Sequence, residues 1–342
     1  MRHQVQHKVR VWIMGKQQAS RGAALVIVLF IVALAAILAV EMSANLMVQV
    51  QKSTNLQGHQ QAKWYAYGAE ELAIKGLIQS KKDDADKTSL DQIWATQGNT
   101  AYPVDNGTLS GQITDLQACL NLNALAQEPD VSSTSKTNPA HKALFALLEN
   151  IEDLPADESE EAMADSVFDW LDEDSITYRS GAEEDEYLSR KFPYMTANSL
   201  FASTSELRLV KGFNPLVMEK VLPYVCVIPG SPLLLINVNT LQPEQALILS
   251  AMIDELSLSA AEAVIGARPE TGFDSIDEFF TEVQQQGGAN IESVKDLFSI
   301  NSEYFKLQTQ ANFVELRFSM TTLLHAKDGD VTILARKFGG VQ

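Results

Sequence analysis

The sequence predicts an α+β protein built from a long N-terminal transmembrane and stalk helix, an antiparallel sheet and a large helical insertion. Three observations predict it. Eighteen apolar residues run unbroken behind a basic stretch, strand-forming segments occur early and late in the chain, and the middle is helical and acidic. The 342 residues leave room for roughly two domains. Hydrophobic residues make up 46% of the chain, enough to fill a core.

The apolar run is residues 23–40, AALVIVLFIVALAAILAV. At 1.5 Å per residue such a helix spans about 27 Å, close to the hydrocarbon core of a bilayer. Apolarity on every face beside a basic flank marks a membrane span rather than a buried core helix. Arg2, Lys8, Arg10, Lys16 and Arg21 precede it, and the first 22 residues hold no acid. Basic flanks stay cytoplasmic. The expected topology is therefore a single pass of the inner membrane, N-terminus cytoplasmic and the chain from Glu41 onward in the periplasm.

From residue 41 to 80 only Gly58, Gly68 and Gly76 interrupt helix-forming residues, and Leu46, Val50, Trp64, Tyr65, Leu72 and Leu77 recur at roughly helical spacing. A stalk helix is expected, then a loop over 81–87. Residues 109–120, LSGQITDLQACL, alternate loosely and read as a strand leading into a turn, with Asn121 and Asn123 bonding local backbone. Strands are also expected over 303–311 and 313–326, the latter joined through Asp328-Gly329 to 331–338 as a hairpin. Between them the chain reads as helical. Ser203-x-x-Glu206 opens a helix ending at Gly212, Asn214-Pro215 caps one that stops at Pro223, and Ser259-x-x-Glu262 and Ser275-x-x-Glu278 open two more. One discontinuous strand domain with a helical insertion follows.

Charge narrows the function. The chain carries 26 basic residues against 44 acidic ones, net −18; without the five bases of its first 22 residues the balance is 21 against 44, net −23. Such a body repels phosphate backbones, so nucleic acid is not an expected partner. The capped pairs at 206–222 and 243–280 resemble helix-hairpin-helix units, which makes a membrane-anchored, competence-type DNA receptor the rival reading. Yet from Asn237 to Gly287 one base, Arg268, faces nine acids, the opposite of a DNA-binding surface. An enzyme is not expected either. His3, His7, His59, His141 and His325 stand in no catalytic motif. A carboxylate-pair hydrolase lacks any indication of a cleft.

The acidic segment is the candidate site. Asp169, Asp172, Asp174, Glu183, Glu184, Asp185 and Glu186 lie within eighteen residues, split by Arg179-Ser180-Gly181. A solvated acidic loop is the plain alternative. Against it, Phe168, Trp170, Leu171, Tyr187 and Leu188 flank the carboxylates and would hold them against a core, where they repel one another unless a cation intervenes. Oxygen ligands without His or Cys select calcium over zinc or copper. Counted from Asp172, Asp174 is third and Glu183 twelfth, but Ile176 and Thr177 replace the expected ligand and glycine, so the segment is not an EF-hand. Asp172, Asp174, Glu183 and Asp185 are the first choice of ligands. The two cysteines, Cys119 and Cys226, would meet an oxidising compartment beside segments that could be neighbouring strands. A disulfide is favoured over two separate buried thiols.

The chain resembles a known family. Arg21-Gly22 before the apolar run looks like a prepilin leader, cut after Gly22 to leave Ala23 as the first mature residue. Pilin-like proteins usually carry Glu at the fifth mature position; here it is Ile27, as in the K-type minor pseudopilins of type II secretion systems. The segments ACLNLNAL (118–125), FDWLDEDSITYRSGAEEDEY (168–187), SELRLV (205–210) and INVNT (236–240) carry the same resemblance. It implies a pilin-like sheet, calcium in the insertion, a place at the tip of the periplasmic pseudopilus with the I- and J-type minor pseudopilins, and cleavage and N-methylation by the prepilin peptidase. A minor pilin of a type IV pilus is the alternative within the class. The expected organisation is leader 1–22, membrane helix 23–40, stalk 41–80, sheet domain 81–123 and 300–342, and insertion 124–299.

Overall fold

The computed structural model describes residues 20–96, 101–127 and 138–339. Residues 1–19 of the expected leader lie outside the described residues; Gly22 and Ala23 both stand in helix α1 (Ser20–Asp83). Contacts divide the chain into two units, Met1–Gln61 and Ala62–Gln342.

In the first unit the described residues are all α1. Between Leu25 and Val40 its large apolar side chains are exposed on every face, Phe30 by 69% and Val40 by 70%. A helix this long and apolar is a candidate membrane anchor.

The second unit begins within α1, which runs without proline to Asp83 and closes on Lys81 and Lys82, cations suited to a helix C-terminus. Then come α2 (Ile93–Thr96), β1 (Tyr102–Val104), β2 (Gly107–Asp115) and β3 (Leu120–Asn121). The helical middle holds α3 (Pro139–Asn150), α4 (Glu160–Leu171), α5 (Glu184–Leu188), α6 (Pro215–Val221), α7 (Ala246–Met252), α8 (Leu258–Ala267) and α9 (Ile276–Gln285). Short strands β4 (Val225–Cys226), β5 (Ile236–Asn237) and β6 (Phe298–Ser299) run among them, and β7 (Tyr304–Phe313), β8 (Leu316–Lys327) and β9 (Asp330–Phe338) end the described chain.

Five strands form one antiparallel sheet in the order β1-β2-β7-β8-β9. Asp328 and Gly329, at φ 54° and 84°, make the expected two-residue turn between β8 and β9. The sheet and α1 close on each other through small residues. Ala62, Ala66 and Ala69 recur on one helix face and pack with Leu109, Ala311 and Met320. Further along, Leu77 packs with Trp94, Phe305, Leu307 and Leu324. Gly107 allows β2 to approach β7, since a Cβ there would lie 2.0 Å from Asn312 O.

The insertion has its own core, in which Leu122, Leu144, Met163, Val217, Ile248 and Phe279 belong to one apolar cluster. Its strands are parallel pairs of two residues, β3 with β4 and β5 with β6. This shortens the expected strand 109–120: β2 ends at Asp115, and Leu120-Asn121 turns away to pair with Val225-Cys226. Pairs so short need other support. Buried asparagines supply it, and they reach distant backbone rather than only their own turn. Asn121 Nδ2 donates to Ser231 O and Leu233 O at 2.9 and 3.0 Å, while Asn123 exchanges hydrogen bonds with the backbone of Phe201. Cys119 and Cys226 form a disulfide beside β3 and β4, Cα–Cα 5.8 Å. Asp115, at the foot of β2, joins sheet to insertion: it accepts from Thr240 Oγ1 at 2.6 Å and Gln117 N at 2.7 Å, and burial pushes its pKa up despite those bonds.

The helix starts differ in detail from the expected ones. Ser203 and Glu206 do form a capping box, but the helix it opens is a 3-10 helix, Thr204–Leu209. The cap of α8 is Ser257, two residues before the expected Ser259. Asn214 and Ser275 cap α6 and α9 as expected.

Candidate metal centre

Helix α4 is started by Ser159, whose hydroxyl accepts from Ala162 N, and its apolar face, including Met163, Val167 and Trp170, enters the insertion core. That leaves Asp169 fully buried, and Asp172 at the C-cap half-buried. After an excursion through Tyr178 and Gly181 the chain enters α5, whose N-cap is Glu183 with extended backbone and 5% exposure. Tyr187 of α5 anchors this return, its ring fully buried against Trp170 at 5.3 Å between centroids.

Carboxylate oxygens of Asp169, Asp172 and Glu183 lie within 4.8 Å of one another. Asp169 Oδ1 accepts from Tyr178 N at 2.9 Å. Asp169 Oδ2, Asp172 Oδ1 and both oxygens of Glu183 are buried with no hydrogen-bond partner. Gly181 lets the loop lie against α4 at Asp169: a Cβ there would stand 2.2 Å from Asp169 Oδ2 and 3.0 Å from the Asp165 backbone. Asn198 Oδ1 is a fifth buried oxygen without a partner, on a side chain whose Nδ2 donates to Asp174 O at 2.8 Å.

Electrostatics follow from this crowding. Burial, with the charges of Glu183 and Asp172 adding to it, raises Asp169 to about 7. Burial and the charges of Asp174 and Glu183 raise Asp172 to about 7 as well, and Glu183 is also raised, burial first. Three acids that resist ionisation, each with an unpartnered buried oxygen and one oxygen of each within 4.8 Å of the others, fit a hard divalent cation bound by oxygen. His and Cys are absent from the group, which disfavours zinc and copper.

The other four acids named from the sequence fall outside the group. Asp174 is exposed and its Oδ1 accepts from Ile176 N at 2.7 Å. Glu184 is half-buried, Asp185 is exposed, and Glu186 lies 3.8 Å from Arg190. Asp169, not among the first four choices, is the most buried member. Asn198 and Gly181 carry no signal in the sequence, because a neutral amide and a glycine leave no mark in a charge run.

The family description "Type II secretion system (T2SS), protein K" matches the chain twice, over residues 118–230 and 236–301. A type II secretion system protein K of Aeromonas hydrophila is 34% identical over 331 residues, covering 94% of this chain and 98% of its own. One from Pectobacterium carotovorum subsp. carotovorum is 34% identical over 325 residues, covering 94% and 97%. Among solved structures, a chain in the crystal structure of the GspK-GspI-GspJ complex from the enterotoxigenic Escherichia coli type 2 secretion system matches with TM-score 0.75 and 31% identity, over 85% of this chain and 100% of that one. The chain therefore belongs to the type II secretion system protein K family and is a minor pseudopilin of that system.

Proposed function

We propose that this pseudopilin is a calcium-stabilised tip subunit of the periplasmic pseudopilus, assembled with I- and J-type minor pseudopilins to drive protein export across the outer membrane. The observation that carries the tip reading is the match, over 85% of this chain and the whole of the other, to a chain of the GspK-GspI-GspJ complex. Bulk agrees with it. Pilin-like filaments pack their stalk helices closely, and an insertion between β2 and β7 with a core of its own would obstruct a subunit stacked above it. Family membership leaves the type IV minor pilin and the DNA receptor without support, and a structural role without catalysis is the economical reading.

Asp169, Asp172 and Glu183 are the residues that would hold calcium, with the unpartnered oxygen of Asn198 a neutral candidate. The ion supplies positive charge. The chain's own contribution is to bring α4 and α5 together and to keep at least one oxygen of each acid unpartnered. The leader is proposed to be removed after Gly22 by the prepilin peptidase, with methylation of Ala23; the apolar segment then stays in the inner membrane, N-terminus cytoplasmic and the second unit periplasmic. Two measurements test the assembly reading. Co-purification of the detergent-solubilised chain with I- and J-type minor pseudopilins should give a ternary complex, and its absence under conditions where those two associate contradicts a shared tip. N-terminal sequencing of the membrane form should begin at Ala23.

A further inference from the structure

One buried pair lies beside the cage without belonging to it. Asp165 sits one helical turn before Asp169 on α4, fully buried, and its two oxygens have different partners. Oδ1 receives His141 Nε2 at 2.8 Å, and Oδ2 receives Ser180 N at 3.1 Å. His141 is itself 5% exposed, in the first turn of α3, with its ring edge-on to Phe168 and Tyr178. The turn at Ser180 needs such a grip. Arg179 is left-handed at φ 47°, an unfavourable backbone for a side-chain-bearing residue, and only the bond from Gly181 N to Tyr178 O at 2.9 Å closes the turn internally.

Two carboxylates a turn apart therefore clamp one backbone segment, Asp169 on Tyr178 N and Asp165 on Ser180 N. Glu183 follows three residues later, so the placement of Ser180 sets where its carboxylate arrives. We propose that His141 and Asp165 are positioning residues for the cation site: His141 orients the Asp165 carboxylate, and Asp165 fixes the 178–181 turn so that Glu183 meets Asp169 and Asp172. The proposal rests on the calcium reading above. It differs from a role in core packing alone because the line of contacts runs from α3 through one side chain into the backbone of the binding loop. Groups that orient metal ligands are worth about tenfold to a hundredfold in affinity when removed.

The test uses the detergent-solubilised full chain with calcium alone as ligand. His141→Phe keeps an aromatic ring and deletes the donor; His141→Gln restores an N–H at similar reach; Val221→Ala opens the same core far from the loop. Calorimetric titration should show calcium bound about tenfold or more weakly by His141→Phe, most of the loss recovered by His141→Gln, and no change in Val221→Ala. Hydrogen–deuterium exchange read by mass spectrometry over residues 178–183, in chelator, should be faster in His141→Phe than in the parent chain. Parent-like calcium affinity in His141→Phe overturns the proposal, as does an equal loss in Val221→Ala or a His141→Gln variant as weak as His141→Phe. If the parent chain takes up no calcium the cage reading fails by itself. Exchange over 178–183 then decides the positioning claim: unchanged in His141→Phe, it is wrong.

Discussion

Glu70 and Asp169 are carboxylates with almost no exposure, 4% and 0%, one between α1 and the sheet and the other in the insertion. The two regions meet the same problem with opposite means. Glu70 receives Arg336 Nη2 at 2.7 Å, Arg336 Nε at 2.9 Å and Thr322 Oγ1 at 2.6 Å. Burial raises its pKa, yet the Arg336 and Thr322 bonds outweigh burial and leave it below the usual Glu value. Among the described residues no cation pairs with Asp169; burial and two neighbouring acids raise it to about 7. The sheet region carries its own counterion. The insertion leaves its charge to be met from outside, by protons or by a metal.

The two settings give opposite dependence on pH. Glu70, depressed in the folded state, contributes stability above its unfolded pKa near 4.5 and loses it as pH falls through the folded value. Asp169 and Asp172, raised to about 7, work the other way without metal. Between their unfolded pKa near 3.8 and about 7 the folded chain binds more protons than the unfolded one, so stability declines as pH rises through that window. A divalent cation bound there would remove the decline, because it would favour the ionised form that burial opposes.

Three positions, Gly181, Arg336 and Asp172, sharpen or break this contrast, with Glu70 and the Asp83-Asp84 pair as controls. The largest effect is expected at Gly181. A side chain there collides with Asp169 Oδ2, so Gly181→Val should abolish the calcium-dependent gain in stability, about 2.7 kcal/mol at a hundredfold excess over Kd. Thermal melts with and without calcium should then coincide. Next comes Arg336→Ala, which strands Glu70. Breaking a buried pair costs about 3–5 kcal/mol, and the 38% exposure of the Arg336 side chain reduces this to about 2. Glu70→Leu in the same chain should recover most of the loss, and calcium should rescue neither variant. The smallest effect has two signs. Asp172→Asn should raise the melting point in chelator, by removing a charge that burial and its acidic neighbours oppose, and lower it in calcium, by loss of a ligand. Asp83→Asn with Asp84→Asn should change neither condition.

What the sequence disclosed, and what it concealed, follow the same physical line. Long elements were legible. The unbroken apolar run, the proline-free stalk and the Asp328-Gly329 hairpin each rest on a local signal. The pairing of β3 with β4 was not, because a two-residue strand has no period to read and its partner lies more than a hundred residues away. Within the acidic segment the charges were conspicuous but their selection was not. Glu183 is chosen because it caps α5 with extended backbone, while Asp185, inside the helix, is exposed. Only the fold of 172–183 back onto α4 makes that distinction, and the unpartnered amide oxygen of Asn198 depends on it too.

The claim that the insertion's buried carboxylates await an external cation is tested most directly by melting the detergent-solubilised chain at pH 5 and pH 7.5, each with calcium and with excess chelator. Protons should stand in for the metal at pH 5, so the two curves there should nearly coincide. At pH 7.5 calcium should raise the transition of the insertion clearly above that in chelator, with magnesium a poor substitute because it gives up its water shell reluctantly. Identical melting in calcium and chelator at pH 7.5, or a calcium effect as large at pH 5, contradicts the account.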